Sequence, residues 1–142
     1  MILIGPIGAG KSTLGKLVAA ALGLPQISLD DIRFTYYREI GYDDSVAHHR
    51  YVTEGFWGLY RYWKPFEAYA VERVLADHVD CVIDLGAGHS VYEDEALFAR
   101  VRRALAPRQN IILVLPSPDL STSLSVLRDR RPSLALLCHV GA

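Results

Sequence analysis

The chain has 142 residues and a formal net charge of −1 at pH 7, and 51% of its residues are hydrophobic while 22% are charged. This length and composition fit one globular domain and exclude an intrinsically disordered chain. The charge gives no electrostatic support for binding long nucleic acids or an anionic membrane surface, and no apolar run reaches the ~18 residues of a membrane span.

The first element is a short apolar strand that runs into a glycine-rich loop and the start of a helix. The loop matches the Walker A pattern G-x-x-x-x-G-K-[ST] at Gly5, Gly10, Lys11 and Ser12. Its glycines let backbone N–H groups converge on an anion, and the helix adds the positive end of its dipole. We therefore predict phosphate binding, with an exposed Lys11 as a catalytic residue on the β- and γ-phosphates and the Ser12 hydroxyl on Mg²⁺.

ATP and Mg²⁺ are accordingly the expected cofactors. The residues predicted to bind the nucleotide are Gly5, Ile7, Gly8, Ala9, Gly10, Lys11, Ser12 and Thr13.

Strand-like and helix-like patterns alternate after the loop. The predicted strands cover residues 1–4, 26–29, 81–85 and 111–115, and the predicted helices cover residues 13–22, 31–40, 66–78, 93–105 and 119–129. Residues 42–65 have an unclear pattern in which we expect helical pieces, and residues 134–140 are a candidate fifth strand. Strands that alternate with helices predict a parallel sheet with right-handed crossovers.

Asp30 and Asp31 follow the second predicted strand, at the edge where open α/β sheets bind ligands. Asp30 is the candidate to accept a proton from an acceptor hydroxyl or to orient it, with helix capping as the alternative. Asp31 is better explained as the N-terminal residue of the next helix. Arg33 lies one turn further on and is either a ligand of an anionic group or a solvated surface residue.

Asp84 lies near the end of an apolar strand and precedes a tight glycine loop, residues 86–90. An acid at this place in a nucleotide-binding protein holds Mg²⁺, here through water and together with Ser12, whereas the alternative is a strand-end cap. His89 is the only one of the five histidines near the predicted site. Their spacing does not predict a zinc site.

Aromatic residues are concentrated between Tyr51 and Tyr69. Their simplest interpretation is core and pocket lining, and the alternative is a surface that stacks a base or a flat ring.

Three arginines, Arg128, Arg130 and Arg131, form a basic cluster at the end of the last predicted helix and precede Pro132. Over an ATP site they would close as a lid and neutralise transition-state charge, with Arg131 as the catalytic residue. The alternative is a solvated helix end that the helix dipole favours.

The cysteines, Cys81 and Cys138, are too few for a disulfide framework and predict reduced thiols in a cytoplasmic protein. Because the glycine-rich loop begins at residue 5, we expect no signal peptide. We expect a monomer or a homodimer.

With these residues in place, the chain resembles the shikimate kinase family of small P-loop kinases. Residues 4–17 are similar to the phosphate loop and first helix of that family. In its Asp-x-Asp segment, the second aspartate contacts the acceptor sugar acid and corresponds to Asp30, while the first falls on Ser28. Residues 28–33 also resemble the Ser-x-Asp-x-x-Arg pattern of polynucleotide-kinase-like phosphotransferases.

Three further segments resemble parts of the same family. Residues 63–67 are similar to its Phe-Arg-x-x-Glu segment, with Lys64 in place of the substrate-binding arginine. Residues 86–88 resemble its Gly-Gly-Gly substrate loop, and residues 128–134 resemble its lid, with Arg131 on the catalytic arginine. The resemblance thus implies that Arg128 contacts the nucleotide and that the acceptor is bound by Asp30, Arg33, Lys64, Gly86, Ala87 and Gly88.

The resemblance implies an α/β, three-layer P-loop NTPase fold with four to five parallel strands in the order 2-3-1-4-5, flanked by helices and carrying a basic lid. Residues 1–142 would form one domain, with an acceptor-binding helical region at about 31–78. Only eleven residues follow Arg131 in the 142-residue chain, so we expect a short C-terminus and an adenine pocket that is open or completed by a partner.

The predicted activity is transfer of the γ-phosphate of ATP to a hydroxyl of a small molecule. One alternative is a nucleoside or polynucleotide 5′-hydroxyl kinase, which the aromatic residues and Arg33 favour, although the net charge disfavours long nucleic acid. The other is a catalytically impaired ATP-binding regulatory module.

Overall fold

A computed structural model describes residues 1–130, in which four parallel strands form one sheet in the order β2-β3-β1-β4. The strands are β1 (Ile2–Ile4), β2 (Gln26–Ser28), β3 (Val82–Asp84) and β4 (Ile111–Leu113). The α-helices are α1 (Lys11–Leu22), α2 (Leu29–Glu39), α3 (Asp44–Asp77), α4 (Glu95–Leu105) and α5 (Leu120–Asp129), and a 3-10 helix covers Ala87–Ser90. The predicted parallel sheet and the order of its first four strands are confirmed, and the candidate fifth strand lies outside the described residues.

Apolar side chains cover both faces of the sheet at β1 and β3, which gives the three layers of the predicted fold, whereas the residues of β4 are exposed. Ile2 and Ile83 belong to the larger core, with residues of α2, α3 and α4. Leu3 and Val82 point to the opposite face and pack with Ala19 of α1. Adjacent residues of one strand serve different cores because successive side chains of a strand point to opposite faces.

Helix α2 begins two residues earlier than the sequence predicted. Its N-cap is Ser28, the last residue of β2, and Leu29 is fully buried at the first helical position. The prediction that Asp31 begins this helix is therefore wrong. Asp30 lies in the first turn of α2 rather than at the end of a strand, and no side-chain hydrogen bond caps this helix.

Helix α3 includes the region whose sequence pattern was unclear. The carboxylate of Asp43 caps its start by accepting hydrogen bonds from the backbone N–H groups of Ser45 and Val46. Gly55 interrupts the helix with non-helical angles (φ 67°, ψ −161°), a left-handed conformation that suits glycine. Before this break Val46, Tyr51 and Val52 are exposed, Val52 at 66%, so the part of α3 that precedes Gly55 lacks the apolar stripe that predicts a helix.

Candidate active site

A cavity of about 650 Å³ lies where the phosphate loop, α2, α3 and the loop after β3 meet. On one side it is lined by residues of the phosphate loop and the start of α1: Ile7, Gly8, Gly10, Lys11, Ser12 and Thr13. On the other side it is lined by charged side chains of α2 and α3, by aromatic rings and by Ala87, Gly88 and His89. The structure thus places most of the predicted nucleotide-binding and acceptor-binding residues around one space.

Gly5 and Ala9 are absent from the lining of the cavity. A Cβ at Gly5 would overlap the carbonyl oxygen of Val114, so this glycine lets the loop pass close to the chain after β4. Ala9 is 7% exposed and belongs to the core. Both positions shape the loop, and other loop residues face the cavity.

Lys11 is the first residue of α1 and is only 8% exposed, so the prediction of an exposed lysine is wrong. Its ammonium group donates hydrogen bonds to the carbonyl oxygens of Gly5 (2.9 Å) and Pro6 (3.0 Å). Burial lowers the pKa of Lys11, and the negative charges of Asp30 and Asp84 oppose this shift. The ammonium is therefore held inside the loop, beside the space that phosphates would fill.

Asp84 is buried at the end of β3 and is surrounded by side-chain donors. Its Oδ1 accepts hydrogen bonds from the hydroxyls of Ser12 (2.9 Å) and Ser28 (3.1 Å), and its Oδ2 accepts one from the amide of Gln26. Ser28 is the partner of Asp84 in the register of β2 and β3. The carboxylate thus links three elements through side chains, which does not fit the alternative of a strand-end cap.

Asp30 lines the cavity with a side chain that is 49% exposed. Its Oδ1 accepts a hydrogen bond from Nη1 of Arg33 at 3.0 Å. The guanidinium carbon of Arg33 lies 4.9 Å from the ring centre of Phe34 and 5.8 Å from that of Trp63, within the range of cation–π contacts. Arg33 also lines the cavity and its side chain is 26% exposed, so it is not a fully solvated surface residue.

Lys64 does not line this cavity. Its ammonium donates hydrogen bonds to the carboxylate of Glu67 (2.5 Å) and to the carbonyl oxygens of Gly88 (2.9 Å) and Val91 (3.0 Å). An ammonium has three hydrogens, so these acceptors use all of them. The prediction that Lys64 binds the acceptor does not fit this geometry, and it is Glu67 that reaches the cavity.

The two glycines of the loop after β3 make room for carboxylates. A Cβ at Gly86 would overlap Oδ1 of Asp30, and a Cβ at Gly88 would overlap Oε1 of Glu67. Ala87 and Gly88 line the cavity and Gly86 does not. This part of the predicted substrate loop is therefore shaped by the side chains packed against it.

His89 and Tyr37 are cavity residues whose roles the sequence did not reveal. His89 is 1% exposed, and its Nε2 lies 3.2 Å from the hydroxyl of Tyr37, which is equally buried. Burial, reinforced by the positive charges of Arg33 and Lys64, lowers the pKa of His89 to about 3, so its ring is neutral at pH 7. The only sequence signal was the position of His89 in the glycine loop.

Aromatic rings from α3 form one wall of the cavity, which confirms the prediction of pocket lining. These residues are Phe56, Tyr60 and Trp63, and Glu67 continues the same stripe. Their spacing of four, three and four residues places them on one helix face. Other aromatic residues of the segment, such as Tyr62 and Phe66, pack around Tyr37 and Tyr42 in the core.

Arg130, a basic residue of the predicted lid, lines the cavity, and its Nη1 donates a hydrogen bond to the carbonyl oxygen of Gly8 at 3.2 Å. Arg128 is exposed in the last turn of α5 and is absent from the lining, so the prediction that Arg128 contacts the nucleotide does not fit. Arg131 and the rest of the predicted lid, residues 131–134, lie outside the described residues.

The chain is similar to known shikimate kinases. The shikimate kinase family model matches residues 7–136. The shikimate kinase of Streptomyces coelicolor is 30% identical over 137 residues, which cover 96% of this chain and 69% of that protein. The enzyme of Streptomyces avermitilis is 30% identical over 136 residues, with the same two shares.

Solved structures show the same fold. A shikimate kinase from Acinetobacter baumannii in complex with shikimate has a TM-score of 0.57 at 21% identity, covering 98% of this chain and 68% of that one. The Aquifex aeolicus shikimate kinase has a TM-score of 0.58 at 18% identity, covering 93% of this chain and 65% of that one.

The parallel sheet, the phosphate loop and the cavity beside it define a P-loop kinase. The chain belongs to the shikimate kinase family. It is therefore an ATP-dependent phosphotransferase that acts on a hydroxyl group of a small molecule. Within residues 1–130, no helix is long and apolar enough to cross a membrane.

Proposed function

We propose that the chain phosphorylates a small hydroxylated ring compound inside this cavity, with Asp30 as the base and the phosphate loop as the ATP site. The observation that carries this proposal is that Lys11, Ser12 and the carboxylate of Asp30 line the same space. Phosphoryl transfer depends on positioning and on charge neutralisation, and these residues supply both.

Mg²⁺ fits the oxygen atoms of Ser12 and Asp84. The hydroxyl oxygen of Ser12 lies 2.9 Å from Oδ1 of Asp84. Both are hard oxygen ligands, the type that Mg²⁺ prefers. Among residues 1–130 no group of three His, Cys, Asp or Glu side chains could hold a metal ion. Ser12 and Asp84 would therefore hold Mg²⁺ together with the phosphates and water, and the ion would neutralise charge on the transferred phosphoryl group.

The proposed transfer uses the residues of this chain as follows. The acceptor oxygen forms a bond to the γ-phosphorus as the bond to the β,γ-bridging oxygen breaks, and the acceptor proton passes to Asp30. Lys11 moves from the carbonyl oxygens of Gly5 and Pro6 to the phosphate oxygens. Arg130, and Arg131 in the role that the family resemblance gives it, would neutralise the charge that develops.

The acceptor side of the cavity limits the compounds that would fit. Lys64 is engaged with Glu67 and two backbone carbonyls, so Arg33 is the cation proposed for an anionic group of the acceptor. Phe56, Tyr60 and Trp63 supply apolar faces that would pack against a ring. Shikimate, which the Acinetobacter enzyme holds, is the first acceptor to test.

A nucleoside is the second candidate acceptor, because the Trp63 ring lies beside the guanidinium of Arg33 and would stack a base.

We also propose that the chain works in the cytoplasm. Its oligomeric state, a monomer or a homodimer, stays a prediction.

The test is release of ADP from ATP and Mg²⁺ in the presence of shikimate, other sugar acids, nucleosides or a short 5′-hydroxyl oligonucleotide. Release that depends on one acceptor identifies its class. The Asp30→Asn variant should bind ATP with unchanged affinity and lose transfer, with Asp31→Asn as the matched control. ATP binding without turnover on any acceptor would favour the regulatory module, and full activity of Asp30→Asn would exclude Asp30 as the base.

A further inference from the structure

We propose that His89 is a positioning residue for the base, because Tyr37 fixes its ring so that Nδ1–H is directed at Oδ1 of Asp30. This inference rests on the proposed role of Asp30, and no part of the sequence resemblance assigned a role to His89.

One ring nitrogen of His89 has a hydrogen-bond partner and the other has none. Nε2 of His89 lies 3.2 Å from the hydroxyl of Tyr37. Nδ1 is buried, has no hydrogen-bond partner and lies 3.8 Å from Oδ1 of Asp30. A buried nitrogen without a partner loses the hydration it has in water, so an approach of Asp30 by about 1 Å would be favourable and would reach hydrogen-bond distance.

The protonation states define the direction of these contacts. The ring of His89 is neutral at pH 7 because its pKa is lowered to about 3, so only one of its nitrogens carries a hydrogen. An ionised carboxylate accepts hydrogen bonds and cannot donate one, which assigns the hydrogen to Nδ1. Burial raises the pKa of Tyr37, so its hydroxyl stays protonated and donates to Nε2.

The backbone around His89 keeps the ring in this place. The N–H of His89 donates to the carbonyl oxygen of Gly86 (3.0 Å), and its own carbonyl oxygen accepts from the hydroxyl of Tyr92 (3.1 Å). A Cβ at Gly86 would overlap Oδ1 of Asp30 and lie 2.6 Å from Nδ1 of His89. Glycine at position 86 is thus the residue that lets the histidine and the carboxylate face each other.

Two donors then converge on the same oxygen of the base. Arg33 donates to Oδ1 of Asp30 at 3.0 Å, and Nδ1 of His89 lies 3.8 Å from the same oxygen. With Oδ1 held by both groups, Oδ2 is the oxygen that takes the acceptor proton. The side chain of Arg33 is partly exposed, whereas His89 is buried and contacts Tyr37. His89 is therefore the more rigid of the two groups that fix the position of the Asp30 carboxylate.

The first experiment compares two amides at position 89. The side-chain nitrogen of asparagine can replace Nδ1 of histidine, and that of glutamine can replace Nε2. We expect His89→Gln to lower kcat for the best acceptor of the panel by roughly 10- to 100-fold, by analogy with the loss of partners that orient metal ligands. His89→Asn should recover most of this loss, and the ATP affinity of both variants should stay at the wild-type value.

The second experiment needs no turnover. Nitrogen-15 NMR of the histidine-labelled protein at pH 7 should show His89 as the Nδ1–H tautomer, assigned by the signal that His89→Asn removes. The Asp30→Asn variant should shift the Nδ1 signal, while Asp31→Asn should not. An Nε2–H tautomer or a protonated ring would overturn the inference.

The outcomes separate this inference from the proposed function. Full activity of Asp30→Asn would show that Asp30 is not the base and would overturn the proposed function. An enzyme that depends on Asp30 while His89→Asn and His89→Gln have equal kcat values would overturn only the role of His89. If neither amide variant folds, Tyr37→Phe tests the same contact, because it keeps the ring and removes the hydroxyl. A kcat for Tyr37→Phe equal to that of the wild type would then count against the inference.

Discussion

Ser12 and Asp84 lie 72 residues apart in the sequence and share a hydrogen bond of 2.9 Å, and Ser12 also lines the cavity. The hydroxyl belongs to the first turn of α1, and the carboxylate ends β3. The two side chains meet because β1 and β3 are neighbours in the sheet and both end at the same edge.

Asp84→Asn should raise the Mg²⁺ concentration needed for half-maximal ATP turnover by at least about tenfold, since it removes the only charge of this pair. It should also lower the free energy of unfolding by about 1–3 kcal/mol, because the new amide N–H₂ faces donors that the carboxylate accepted from. Mg²⁺ titrations and urea denaturation measure the two effects. Ser28→Ala, which removes one hydrogen bond and no charge, is the control, and an unchanged Mg²⁺ requirement of Asp84→Asn would exclude Asp84 from the metal site.

Lys11→Met should weaken ATP binding by at least about tenfold while leaving the unfolding temperature close to the wild-type value. The methionine chain fills a similar volume, and the two loop carbonyls lose a donor but can bind water. Calorimetric titration with ATP measures the affinity. Lys16→Met, in the exposed part of α1, is the matched control. An ATP affinity of Lys11→Met equal to that of Lys16→Met would contradict the assignment of the phosphate loop.

Lys64 and Arg33 should respond differently to substitution. Lys64→Met leaves the buried carboxylate of Glu67 without its cation and should cost about 3–5 kcal/mol of unfolding free energy.

Arg33→Gln should cost little stability, because its ion pair is partly exposed, and should raise the KM of an anionic acceptor by about tenfold or more. Thermal denaturation measures the stability of both variants, and acceptor kinetics measure their KM values. A stable Lys64→Met with a raised acceptor KM would restore the sequence-based assignment of Lys64.

The buried His89 predicts a loss of stability in acid. Burial lowers its pKa from 6.5 to about 3, with Arg33, Lys64 and Lys11 adding to the shift, while Asp30 lies 3.8 Å from Nδ1. A group whose folded pKa is depressed contributes stability above its unfolded pKa and loses it as the pH falls toward the folded value. Below about pH 6.5 the contribution of His89 should therefore decline by up to about 1.4 kcal/mol per pH unit.

Urea denaturation of the wild type and of His89→Gln between pH 7 and pH 4 measures this decline. Glutamine does not titrate, so the difference between the two proteins isolates the histidine. His48→Gln, on the exposed part of α3, is the control. Parallel curves for the wild type and His89→Gln would show that His89 is not held neutral in the folded state.

The features that the sequence predicted correctly depend on local patterns. The Walker A residues, the parallel sheet and the position of Asp84 at a strand end follow from glycine spacing and from short apolar runs. Boundaries were less accurate where one residue serves two elements. Ser28 ends β2 and also provides the N-cap of α2, so Asp30 moved from a strand end into the first turn of a helix.

The features that the sequence missed depend on contacts between distant segments. Lys64 is held by the carbonyl oxygens of Gly88 and Val91, which lie 24 and 27 residues further along the chain. Nε2 of the buried His89 lies 3.2 Å from the hydroxyl of Tyr37, which is 52 residues away on α2. A spacing pattern contains no information on such partners, so similarity to a substrate-binding segment placed Lys64 in the acceptor site.

The stripe of Phe56, Tyr60, Trp63 and Glu67 on α3 also bears on how acceptor preference could change during evolution. All four residues lie after the break at Gly55 and on one helix face, whereas the phosphate loop is built from a different part of the chain. Mutations at positions 56, 60 and 63 of that face should therefore change the proposed acceptor side of the cavity and leave ATP binding intact. A small library randomised at positions 56, 60 and 63 is accordingly the one to screen for kinases that act on new acceptors.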